Sequence, residues 1–138
     1  MHELSHAILY QNTSFLNAFR IPDWLREGIA NYYGTRSWNY PPEQFKKLAA
    51  DGLLFNPTAK MDDLRSKMCT GRLIHSEYRY FVEYIIYIYG NEKLMEYMRA
   101  LIKDPLKENI LFQEIFNIKL EEVAENFKNA VLSKKWPR

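Results

Sequence analysis

The chain has 138 residues, enough for one domain that buries a core without help from disulfides or a metal. Apolar residues make up 47% and charged residues 26%, a balance that excludes disordered, collagenous and low-complexity chains. The net charge of +2 is too small to point to nucleic acid, and the single cysteine, Cys69, excludes a disulfide framework and a cysteine-rich zinc site.

In chain order the pattern predicts helix throughout, an all-α class over a single domain of residues 1–138. No Pro or Gly interrupts Glu3 to Phe15, and Leu4, Ile8, Leu9 and Phe15 recur at roughly helical spacing, which places a first helix within residues 2–17. Pro22 and Asp23 mark a second helix over residues 22–36, with Leu25, Ile29 and Tyr32 or Tyr33 on one face. The helical remainder spans residues 42–136. Pro41-Pro42 starts a helix from Glu43 to Asp51, and Gly52 stands where a C-cap glycine belongs. Met61 to Met68 reads as a short helix after the Asn56-Pro57 turn.

His75 to Tyr89 has β-branched and aromatic content that also suits a strand. Its length, and the charges Glu77, Arg79 and Glu83 spread along it, favour helix. Asn91 is placed to cap a helix from Glu92 to Lys103 that Pro105 ends. Leu106 to Phe116 forms another, and Leu120 to about Lys134 the last, with Leu120, Val123, Phe127 and Val131 as its apolar stripe. The charge runs are mixed in sign and read as solvated helix faces. Met1-His2-Glu3 lacks the basic and apolar regions of a signal peptide. The apolar run from Tyr84 to Tyr89 falls far short of the ~20 residues of a membrane span. With Met1 as the native start, the expectation is a soluble cytoplasmic protein.

Chemistry concentrates in His2-Glu3-Leu4-Ser5-His6, an H-E-x-x-H motif. Residues four apart on a helix share a face, so both imidazoles can reach one Zn²⁺ at roughly 2.0–2.1 Å. Glu3 then points beside the metal, where a water-activating carboxylate is needed. With so few histidines, chance produces this pattern in roughly one such chain in 180. Catalytic zinc takes three protein ligands and one open position. With one Cys and one further His in the chain, a carboxylate is the natural third ligand, though residue chemistry does not by itself single one out.

His2 to His6 followed by Pro22-Asp23-Trp24-Leu25-Arg26-Glu27-Gly28-Ile29-Ala30-Asn31-Tyr32-Tyr33 resembles the gluzincin metallopeptidases. The likeness is strongest to the small peptidase-MA-like group and more distant to the aminopeptidase N family. In their W-L-x-E-G-x-A-x-Y segment the Glu is the third zinc ligand, which implies that role for Glu27, with Trp24, Leu25, Gly28, Ala30 and Tyr32 matching around it. The connection from His6 to Glu27 is slightly longer than in aminopeptidases of this kind. Ser76, Phe81, Tyr84, Tyr89-Gly90 and Asn91-Glu92-Lys93-Leu94 resemble the family's continuation, more loosely.

In that family a Tyr at the start of the downstream helix assists the transition state; the corresponding position here is His75, with Tyr78 and Tyr80 as rival donors. The resemblance implies zinc-dependent hydrolysis of a peptide or protein, with Glu3 and His75 as the catalytic residues and His2, His6 and Glu27 holding the metal. Asp23 or Glu77 could orient the imidazoles. The motif begins at residue 2, whereas gluzincins place a β-sheet ahead of the metal helix. The chain is thus expected to be the helical C-terminal part of such a domain, with a non-enzymatic helical binding module as the alternative.

Overall fold

Capping and turn chemistry explain most of the helix boundaries in the computed structural model, which describes residues 20–34, 39–67 and 70–138. Among the described residues there are seven helices and no strand: α1 Asp23–Tyr33, α2 Pro42–Ala50, α3 Met61–Ser66, α4 Gly71–Tyr89, α5 Asn91–Lys103, α6 Glu108–Phe116 and α7 Leu120–Leu132. The all-helical class follows. The predicted helix within residues 2–17, and with it His2, Glu3 and His6, lies outside the described residues. No helix among the described residues is long and apolar enough to cross a membrane.

Several boundaries differ from expectation. α1 ends at Tyr33 with Gly34 as its C-cap, short of the expected Arg36. Glycine is a poor helix former, and no basic residue stands in the last turn to hold the terminal carbonyls. α2 closes as the sequence suggests: Gly52 takes φ +78°, its N–H donates to Ala49 O at 3.0 Å, and Leu53 N–H donates to Leu48 O at 3.1 Å. That pair of bonds satisfies two carbonyls that the helix end would orphan.

α4 shows the largest departure, beginning at Gly71 rather than His75. Thr70 is the cap, its hydroxyl accepting the Leu73 N–H at 3.2 Å. His75 therefore stands inside the helix and not at its start. Asn91 does not cap α5 but is its first residue; its side-chain oxygen accepts from the Tyr33 hydroxyl at 2.9 Å. α6 begins at Glu108 after a turn in which Lys107 N–H donates to Asp104 O, later than the expected Leu106. α7 stops at Leu132.

α4 is the central element. α1 lies along it more extensively than any other helix pair in contact. Gly28 makes that approach possible: a Cβ there would lie 2.7 Å from the backbone oxygen of Tyr78 and against the Val82 side chain. One turn before Gly28 and on the same face, Trp24 is buried against Phe81 and Tyr97, with ring centroids 5.0 and 6.3 Å away. Phe81 meets Phe127 of α7 at 5.3 Å, and Tyr97 meets Phe112 of α6 at 5.1 Å. Each such ring contributes roughly 1.5–3 kcal/mol by leaving water, so one aromatic chain of contacts joins α1, α4, α5, α6 and α7. Phe45 of α2 joins it through Tyr80 at 4.7 Å.

Candidate functional site at the α1–α4 interface

The close approach at Gly28 brings its neighbour Glu27 to the face of α4 that carries His75. Glu27 Oε2 lies 3.7 Å from His75 Nδ1, and the two side chains are 14% and 12% exposed, so both are largely withdrawn from solvent. At 3.7 Å the pair is in electrostatic contact but not hydrogen-bonded. The other carboxylate oxygen, Oε1, lies 3.6 Å from Arg26 Nε. The structure thus brings together Glu27 and His75, two residues that the sequence places on separate helices. His2, Glu3 and His6 lie outside the described residues.

A third residue joins them. Asn31 is fully buried one turn after Glu27 on α1. Its amide nitrogen is 2.7 Å from the backbone oxygen of Glu27 and 2.8 Å from His75 Nδ1. Sequence reasoning passed over Asn31 because a polar residue in mid-helix normally faces water. The available signal was its i, i+4 spacing from Glu27, which puts both on one face.

The rival donors are engaged elsewhere. Tyr78 is buried and its hydroxyl donates to Ala59 O at 2.7 Å, while burial and the nearby carboxylates push its ionisation far up. Tyr80 donates to Tyr40 O at 2.5 Å, and burial raises its pKa to about 12. Both hydroxyls hold loops against α4.

Of the carboxylates expected to orient imidazoles, Asp23 has both oxygens committed. Oδ1 pairs with Arg26 Nη2 at 2.7 Å and Oδ2 accepts from Met61 N–H at 2.9 Å, tying α1 to the start of α3. Glu77 is two residues from His75, about 200° around the helix, and so faces away from it. It is fully buried, Oε2 accepts from Phe55 N–H at 3.3 Å, and desolvation holds its pKa well above the carboxylate range.

Among the described residues, no group of three or more His, Cys, Asp or Glu side chains could hold a metal ion. Glu27 is the one described member of the expected ligand set, with His75 beside it. The chain matches no known family model, curated protein or solved structure. The site is accordingly read from its own chemistry: a largely buried carboxylate, an imidazole beside it, and a buried amide bridging the two helices.

Proposed function

We propose that the chain is a zinc-dependent peptidase, or the helical catalytic part of one, acting on peptide or protein substrates. His2, His6 and Glu27 are the metal ligands, Glu3 the base and His75 the oxyanion donor. The observation that supports this reading best is the juxtaposition of Glu27 and His75 at 3.7 Å on facing helices. A ligand carboxylate and an oxyanion donor must converge on one point, and these two residues were assigned from different segments of the sequence.

The donors suit zinc, since two neutral imidazoles and one carboxylate leave a fourth tetrahedral position open. Glu27 stands on a helix held rigidly by Gly28 and Trp24, which favours a fixed ligand geometry. What zinc supplies in such a site is acidification of a bound water and polarisation of a carbonyl oxygen. Glu3 takes the water proton and later delivers it to the leaving amine. His75 donates a hydrogen bond to the carbonyl oxygen as it gains charge, a contribution that in other enzymes is worth about 10²–10³ in kcat.

Metal analysis of the purified chain and hydrolysis of fluorescein-labelled casein test the proposal. The expected result is one zinc per wild-type chain. Glu27→Ala should lose the metal, and Glu3→Gln should keep it while turnover falls by roughly 10²–10⁴. His75→Phe should keep zinc and lower kcat and kcat/KM together. A wild-type chain that takes up no stoichiometric zinc, or zinc affinity unchanged in Glu27→Ala, overturns the reading.

A further inference from the structure

We propose that Asn31 is a positioning residue that fixes the ring of His75 as the tautomer with its hydrogen on Nε2. The catalytic consequence rests on the peptidase reading above, whereas the tautomer itself rests on the geometry between α1 and α4.

The orientation of the Asn31 amide is decided first. Glu27 O is an acceptor only, and it lies 2.7 Å from Asn31 Nδ2. Turned over, the amide would set two oxygens at that distance, so the nitrogen must face the carbonyl. Nδ2 carries two hydrogens and no lone pair to offer. One hydrogen goes to Glu27 O, and the other points at His75 Nδ1, 2.8 Å away. His75 Nδ1 must therefore accept. A neutral imidazole carries one N–H, which then resides on Nε2. This arrangement leaves Asn31 Oδ1 buried without a hydrogen-bond partner among the described residues. Reversing the amide does not recover that loss, because it would press Oδ1 against another acceptor.

The neighbouring carboxylate gives the choice its significance. Glu27 Oε2 is 3.7 Å from the same Nδ1, too far for a hydrogen bond as the side chains stand. A hydrogen on Nδ1 would be drawn to that oxygen and would compete for the group proposed as a metal ligand. With Asn31 donating to Nδ1, the imidazole keeps its own N–H on Nε2 and gives no hydrogen bond to the Glu27 carboxylate through Nδ1. A side chain that donates to one ring nitrogen thus makes the other a donor. That is the form in which His75 can meet a carbonyl oxygen gaining negative charge.

Nitrogen-15 NMR of the full-length labelled chain reads the tautomer directly. The three histidines are separated by long-range proton–nitrogen correlations, and His75 is assigned from the signal lost in His75→Gln. In mildly alkaline buffer the wild type should show a pyrrole-type Nε2 and a pyridine-type Nδ1. Asn31→Asp replaces the donor by an acceptor and should move the hydrogen to Nδ1. Asn31→Leu removes the partner and should give averaged shifts. With the best-cleaved member of a quenched fluorescent peptide library, Asn31→Asp should lower kcat about 10–100-fold, with KM and zinc content little changed. A wild-type His75 with its hydrogen on Nδ1 overturns the inference, as does a tautomer that both Asn31 variants leave unchanged in folded protein. If the aspartate variant fails to fold, the wild-type spectrum and Asn31→Leu decide. An Nε2–H tautomer in a wild-type chain with neither zinc nor hydrolysis overturns the peptidase reading and its catalytic consequence, and supports the tautomer assignment.

Discussion

A carboxyl group taken out of water with one long hydrogen bond is a burden on the folded state at neutral pH, and Glu77 is such a group. Burial raises its pKa well above the usual value, and the Phe55 N–H and the charge of Lys128 only partly offset that. Its Oε1 has no hydrogen-bond partner among the described residues. Below about pH 4 both folded and unfolded chains carry the proton, and Glu77 imposes no charge penalty. As pH rises past the unfolded value, the unfolded chain ionises while the folded one stays protonated. Stability then falls until the raised folded pKa is passed. Glu77→Gln removes the titration while keeping the shape. Urea unfolding of the two proteins should therefore give their closest values near pH 4, with the wild type losing ground to the variant as pH rises to 7. Parallel curves over that range would mean that Glu77 ionises equally in both states.

At the scale of elements, the α1–α4 pair positions the candidate site, and Gly28 sets how closely the two helices meet. Alanine is the better helix former by about 1 kcal/mol, so Gly28→Ala would stabilise an isolated α1. In the protein its Cβ would lie 2.7 Å from Tyr78 O, a backbone atom that cannot swing aside as a side chain could. Overpacking of this kind costs typically 1–3 kcal/mol and should win. Thermal unfolding should show a lower Tm for Gly28→Ala, and zinc uptake should weaken as Glu27 is pushed away from α4. An unchanged or higher Tm would show that the helices can separate without penalty. That a neighbour could approach α1 closely was legible in the sequence, because Gly28 and Ala30 are small, though not that this neighbour is α4; the end of α2 at Gly52 was legible too, where a glycine follows a Pro-initiated helix. The start of α4 was less so, because the aromatic run from His75 onward outweighed Thr70, a cap recognisable only from its bond to Leu73. Glu27 and His75 could be named from motif and position. Asn31 was harder to name, because its i, i+4 spacing from Glu27 marks a shared face but its second partner, His75, lies on another helix. The burial of Glu77 was not legible for a related reason: the loop that carries Phe55 packs over it from another part of the chain.

The whole molecule closes on α4 from its C-terminal side as well. After α7 the chain turns back, with Lys135 and Trp136 N–H groups both donating to Ala130 O at 2.9 and 3.2 Å. Trp136 is 4% exposed, and its indole N–H donates to Tyr80 O at 3.1 Å. Its ring lies 5.7 Å from that of Tyr84 and 5.3 Å from Tyr87, and Arg138 sits over Tyr87 at 3.7 Å. The last residues thus clamp the helix that carries His75, opposite in sequence to the α1 contact that carries Glu27. Trp136→Ala should lose about 3–5 kcal/mol, the usual loss for a buried aromatic. Trp136→Phe keeps most of the ring area but leaves Tyr80 O with only its place in the helix ladder, and should lose roughly 0.5–1.5 kcal/mol for the hydrogen bond plus a smaller packing loss. Chemical denaturation of the two variants separates these contributions. If the alanine variant matches the wild type, the tail is not part of the fold's support. If both variants lose the same amount, the indole hydrogen bond carries the clamp and the ring contacts add little. In the expected order, wild type above phenylalanine above alanine, hydrophobic contact carries it. Shortening the chain before Trp136 should then loosen α4, and with it the pairing of His75 with Glu27.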